Sequence, residues 1–285
     1  MATRKHTRPR SARDTGDRLK LHRRVLWADG REYTVISLRP DARVRFSTNR
    51  YHETWHILSD DHGARVLGRL LWGLSFQRRP GTIVVIGPPH LDPNPFDAEP
   101  ATPIALVHAD LTVLTPEAAR RLRHLLTAPA KPDGTVRWHA WGLDQEAARF
   151  HRFRETGEWP AWEPRPDDRR SAVERIGGML VLRGLPKRLR EWAVYVAMLD
   201  SGRRDGMDYV YLETIWPIGP TDGEVQIFRN YRQRVSVATV SRREILGDAD
   251  TARLPPEQIN ERIWAYNSLV RARRHRKRAR ALACS

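Results

Sequence analysis

The chain has 285 residues, 40% of them apolar and ten of them Trp, enough to fill a core and to exclude wholesale disorder. A single cysteine, Cys284, excludes an internal disulfide and every Cys-rich zinc module. The formal net charge of +16 sits at the ends: residues 1–24 carry nine Lys or Arg against Asp14 and Asp17, residues 271–280 carry seven and no acid, and the body between is nearly neutral.

Residues 1–20 lack apolar periodicity, and residues 1–23 are expected to form a disordered basic arm. Val25 to Leu38 (VLWADGREYTVISL) predicts a β-hairpin, because Asp29-Gly30 is a favoured type I′ turn pair between two strand-like runs. Ala42 to Phe46 alternates and reads as a strand. Asp60 to Arg78 is the clearest core helix: Val66, Leu67, Leu70, Leu71 and Leu74 recur at three and four residues, Ser59 or Asp60 supplies an N-cap, and Arg79-Pro80-Gly81 stops it. Thr82 to Gly87 is a buried strand, and the strand–helix–strand series suggests a βαβ-like unit.

A Pro-rich loop over residues 88–103 precedes a short strand, Ile104 to His108. Thr115-Pro116-Glu117 opens a helix that runs to about Leu126, with Thr as cap, Pro at the first helical position and an acid in the first turn. Thr135 to Trp141 reads as a strand and Asp144 to Arg154 as a helix, completing an α/β-like domain over residues 24–155. Residues 156–172 form a Pro/Trp-rich linker. Residues 173–250 read as a strand-rich domain with strands at Met179–Leu182, Trp192–Leu199, Tyr209–Trp216, Glu224–Phe228 and Arg234–Val240, separated by turn signals in the manner of an antiparallel meander. Over residues 255–285 a helix starts at Pro256-Glu257 and places Ile259, Ile263, Tyr266 and Val270 on one face; past Val270 it is basic all round. The fold class is α+β, with an α/β-like N-terminal half, an antiparallel strand-rich C-terminal half and a basic C-terminal helix.

A near-neutral body with basic ends points to a polyanionic partner. The candidate nucleic-acid contacts are Arg271, Arg273, Arg274, Arg276, Lys277, Arg278 and Arg280, with Arg4, Lys5, Arg8 and Arg10 as a second set. As the continuation of a docked helix, residues 271–280 read as a rod whose cations meet phosphates on either side of a groove. These stretches contain no Asn or Gln, so readout of bases has no support there. Arg outnumbers Lys 45 to 5, but GC-rich coding raises Arg together with Ala, Pro and Gly, so the position of the charge carries the information. The longest apolar run, Trp192 to Leu199, is far below the 18–20 or so residues of a membrane span. No apolar stretch follows the basic N-terminus as in a secretory signal, and a cytoplasmic location is expected.

The leading expectation is a non-enzymatic protein that binds a nucleic-acid backbone and needs no cofactor. The alternative is a zinc-dependent hydrolase. His52-Glu53-Thr54-Trp55-His56 spells HExxH, which on a helix brings both histidines to one face for zinc and sets the Glu to activate the metal-bound water. With His62, the run HETWHILSDDH resembles the metzincin metalloprotease signature HExxHxxGxxH over eleven residues, with Ser59 where that family has Gly. The resemblance implies His52, His56 and His62 as zinc ligands and Glu53 as general base. As a strand, the same run puts His52 and His56 on one face and Tyr51, Glu53, Trp55 and Ile57 on the other. Asp208 and Glu224 on successive strands, with Gln226 two residues on, faintly resemble the Asp…Glu-x-Lys arrangement of metal-dependent nucleases, with Gln in place of Lys. No phosphate-cradling Gly loop and no nucleophile elbow is present.

Overall fold

A computed structural model describes residues 18–127, 131–157, 170–202, 205–212 and 223–283. Among them are eleven strands and six α-helices in an α+β fold with two mixed sheets. The larger sheet begins as the sequence predicts, with a hairpin of β1 (Arg18–Ala28) and β2 (Arg31–Leu38). Asp29 and Gly30 both take positive φ, 51° and 68°, the left-handed pair that a type I′ turn requires. β1 starts earlier than Val25, however. Leu21 is fully buried and pairs with both Leu38 of β2 and Val136 across the sheet, so residues 18–23 are strand and not arm. Residues 1–17, with Arg4, Lys5, Arg8 and Arg10, lie outside the described residues.

After β2 the chain leaves for a second sheet. β3 (Ser47–Tyr51) and β4 (Thr54–Ser59) form a tight hairpin there. The strand expected over Ala42–Phe46 reduces to one bridge between Phe46 and Leu91, and the strand proper starts at Ser47. The first helix, α1 (Asp61–Ser75), has its N-cap at Asp60, whose carboxylate accepts the Gly63 N–H at 2.8 Å. α1 returns the chain to β5 (Thr82–Ile86), parallel to β2. The strands just before and after α1 therefore lie in different sheets, and the parallel neighbours are β2 and β5. β6 (Ile104–His108) is antiparallel to β5. Both strands are buried at every position, which is why they read as unbroken apolar runs. α2 (Pro116–Thr127), β7 (Gly134–His139) and α3 (Leu143–Thr156) follow close to their predicted bounds, and the Thr115 hydroxyl caps α2 by accepting the Ala118 N–H at 3.1 Å.

β8 (Ala172–Ile176) and β9 (Met179–Gly184) return to the larger sheet, where β9 runs parallel to β6. The order is β7-β1-β2-β5-β6-β9-β8, so strands from both sides of residues 156–172 share one sheet. Two of the expected strands are helices. Trp192–Leu199 falls mostly in α4 (Pro186–Ala197), where Leu189, Trp192, Ala193 and Val196 are buried at helical spacing against α1. An apolar run of eight residues is compatible with either structure, and the long-range packing decides it. The second sheet is completed by β10 (Met207–Tyr211) and β11 (Gly223–Phe228), in the order β10-β11-β4-β3 with β11 parallel to β4. The run Arg234–Val240 then lies inside α5 (Tyr231–Leu246). Its valines alternate like a strand, but Tyr231, Val235 and Ala238 form the apolar stripe that meets the body. The last helix, α6 (Pro256–Ala283), packs on α5. No described helix is long and apolar enough to cross a membrane.

α1 and α4 fill the space between the sheets. One core joins them to Ile36, Val84, Leu106 and Leu182 of the larger sheet and to Ile57, Val225 and Ile227 of the smaller. α2 covers the other face of the larger sheet through Ala118, Ala119 and Leu122, and α5 covers the other face of the smaller one. The two central helices approach closely at Gly68: a Cβ there would stand 2.9 Å from the Ala193 carbonyl oxygen and 3.1 Å from the Ala197 Cβ. Gly68→Val is therefore expected to destabilise the protein by about 2–3 kcal/mol through overpacking, measured by urea denaturation. A loss below about 0.5 kcal/mol would show that α4 can shift away at little cost.

Candidate nucleic-acid interface

α6 spans 28 residues, a rod of about 42 Å at 1.5 Å per residue. Its first half is docked. Ile259, Ile263 and Val270 are buried, and the Asn267 side-chain amide donates to the Phe96 carbonyl at 2.7 Å. Val270 ends the apolar face, and the helix continues regardless. Just past that point two arginines tie the rod to α5. Arg273 pairs with Glu244 at 2.6 Å, and Arg274 donates to the backbone and side-chain oxygens of Ser236 at 3.2 and 3.1 Å. The Arg273 guanidinium, with the Tyr266 hydroxyl, holds the Glu244 carboxyl below the ordinary carboxylate range. Arg273 is thus already engaged, in an ion pair at the surface.

Arg271, Arg276 and Lys277 are exposed and form no ion pair among the described residues. Arg278 and Arg280 continue the helix, and their side chains lie outside the described ones. Of the five cations of the basic segment whose side chains are described, Arg273 is ion-paired, Arg274 is anchored and three are free.

The body adds cations that no sequence run announces. Arg234, in the first turn of α5, stacks 4.6 Å from the Phe228 ring centroid. Burial and the nearby Arg271 charge pull its guanidinium below the usual range. Two residues earlier, Arg232 points to the other side of the helix, because positions i and i+2 do not share a face. There it donates to the Arg43 carbonyl at 2.7 Å. Arg43, Arg45, Arg232 and Asp92 line an open recess of about 470 Å³. The recess is held firmly: Phe46 N–H donates to His90 O at 2.9 Å and Asp92 N–H to Phe46 O at 2.8 Å, stitching the Pro-rich loop to the entry of β3. Arg45 and Asp92 approach at 3.8 Å, and burial raises the Asp92 carboxyl above its ordinary value despite the neighbouring Arg45 and Arg232 charges. These arginines are separated by up to 189 residues in a chain rich in Arg, so only the fold reveals them as a group.

The HETWH run lies elsewhere. His52 and Glu53 are the exposed turn of the β3–β4 hairpin, both at positive φ, 46° and 65°. Thr54 to Ser59 is strand, so the helical face on which an HExxH pair converges does not form. His56 points into the molecule beside Glu224, with Nε2 3.3 Å from a carboxylate oxygen, and His62 sits in the first turn of α1. Among the described residues no group of three His, Cys, Asp or Glu is placed to hold a metal ion. Asp208 pairs with Ile227, so it lies on the face opposite Glu224 and Gln226, and the two acids of the nuclease-like pattern point apart. The Gln226 amide donates instead to Glu224 at 2.8 Å.

The His56–Glu224 pair is a buried polar contact, with side chains 8% and 7% exposed. His56 Nδ1 makes no hydrogen bond among the described residues, so Glu224 is its anchor. Glu224→Ala is expected to destabilise the protein by about 2 kcal/mol by stranding the imidazole, with Glu224→Gln milder. Thermal denaturation of both variants checks this, and equal melting for wild type and Glu224→Ala would contradict it.

Comparison of the chain with protein-family models, curated proteins and solved structures gives no match.

Proposed function

We propose that the protein binds the phosphate backbone of DNA or RNA through the basic half of α6, with little preference for base sequence. One observation carries this reading: the helix persists to Ala283 after its apolar face ends at Val270. Arg273 and Arg274 hold its first turn past Val270 to α5, and the helix then runs on, presenting Arg271, Arg276 and Lys277 to solvent on a stiff support. Cations held on a rod bind a regular array of phosphates without first being ordered, which lowers the entropic cost of association. Arg234 beside Arg271 widens the positive surface at the root of the rod. The N-terminal segment with Arg4, Lys5, Arg8 and Arg10 adds a second contact in this reading.

The test is an anisotropy titration of the full chain on duplex DNA and on RNA across a salt series. Seven engaged cations would give a log–log slope of about −6, and with Arg273 held by Glu244 the expected slope is nearer −5. Negligible binding at low salt, or affinity that does not change with salt, overturns the reading.

A further inference from the structure

We propose that the recess between Arg43, Arg45, Arg232 and Asp92 is a binding site for a terminal phosphate, the phosphomonoester at the end of a nucleic-acid strand. In its nucleic-acid context this rests on the backbone-binding reading above.

Three arginines and one aspartate line this recess, a formal net +2. A phosphodiester inside a strand carries one negative charge, whereas a phosphomonoester approaches two at neutral pH and offers three terminal oxygens. The charge of the recess therefore matches a strand end better than a strand interior. The donors are also free to act. Arg43 is exposed and has no partner for its guanidinium among the described residues. Arg45 gives Nη1 to the Val44 carbonyl at 2.9 Å and holds Nε 3.8 Å from Asp92, and Arg232 gives Nη2 to the Arg43 carbonyl at 2.7 Å, which fixes both side chains and leaves Nη2 of Arg45 and Nε and Nη1 of Arg232 available. Arginine is suited to this task, since its planar fork takes two phosphate oxygens at once. At about 470 Å³ the recess has room for a phosphate and its attached sugar.

The recess is also well placed. It lies on one side of the first turn of α5, and Arg234 with the basic half of α6 lies on the other. A strand whose end sits in the recess would cross the N-terminal turn of α5 and continue along α6.

The first experiment isolates the recess from the rod. Thymidine 5′-monophosphate and its methyl ester, a phosphodiester, are titrated into the full chain by calorimetry, with thymidine 3′-monophosphate as a third arm to tell which strand end is preferred. The monoester is expected to bind about tenfold more tightly than the methyl ester. Arg43→Gln and Arg232→Gln should each abolish that preference. Arg43→Gln removes no contact within the protein, so its folding is not at issue. The second experiment compares 5′-phosphorylated, 3′-phosphorylated and unphosphorylated oligonucleotides of one sequence. A phosphorylated end should raise affinity about tenfold in wild type and not in Arg43→Gln. Equal binding of monoester and methyl ester, or a preference that survives both substitutions, overturns the proposal. Monoester preference without salt-steep oligonucleotide binding would keep the recess and overturn the backbone reading. Salt-steep binding without monoester preference would do the reverse.

Discussion

Replacing Arg271, Arg276 and Lys277 together by Gln is expected to lower nucleic-acid affinity by about 10²–10³-fold at 0.1 M salt, and to make the log–log salt slope shallower by nearly 3. The magnitude follows from counterion release. Each cation that meets a phosphate frees close to one condensed counterion, and each such release contributes about a factor of eight at that salt concentration. The same account predicts that wild type and triple variant converge as salt approaches 1 M. Arg273→Gln provides the contrast within the same helix. Its guanidinium is committed to Glu244 at 2.6 Å, so its loss should change the slope little. A triple variant with wild-type affinity and slope would show that the rod is not the contact. An Arg273→Gln effect as large as the average of the other three would show that the Glu244 pair opens on binding.

Trp192→Ala is expected to destabilise the protein by about 3–5 kcal/mol, the largest effect of any single truncation considered. Trp192 is 1% exposed and sits where α4 meets α1 and the larger sheet, in the core that also reaches the second sheet. Removing the indole leaves a void in a close-packed core that its neighbours cannot fully move in to fill. The indole N–H makes no hydrogen bond among the described residues. Trp192→Phe should therefore cost less than about half as much, since it keeps much of the ring volume and strands no partner. Urea denaturation of both variants with unchanged m-values checks the pair. A Trp192→Ala loss below 1 kcal/mol would mean that the α1–α4 contact contributes little to the core.

The elements legible in the sequence are those specified by their own neighbours. The β1–β2 turn rests on Asp29-Gly30, two adjacent residues that accept positive φ readily. α1 carries its period, its Asp60 cap and its Pro-Gly stop within about twenty residues. α2 carries Thr115 and Pro116 in order. The basic continuation of α6 is legible because a charge run needs no partner to be seen. HETWH is open between helix and strand, since His52 and His56, four residues apart, share a face in either. Only the pairing of Tyr51 with Thr54 and of His56 beside Glu224 makes it a turn and a strand.

What local pattern could not convey is every choice made by contacts distant in sequence. Trp192–Leu199 and Arg234–Val240 are apolar enough for either secondary structure, and the surfaces they meet make them helices. β9 joins the larger sheet by pairing with β6, more than seventy residues back, so no composition shift around residues 156–172 could reveal that sheet membership. The recess formed by Arg43, Arg45 and Arg232 has the same origin. By itself the sequence determined the fold class, the local turns and caps, and where the excess charge lies, because those depend on nearest neighbours and on sums. The tertiary structure alone decided which arginines stand together and which are already neutralised, because a charge cluster depends on distances in space, and chain closure sets those only once the whole core has formed.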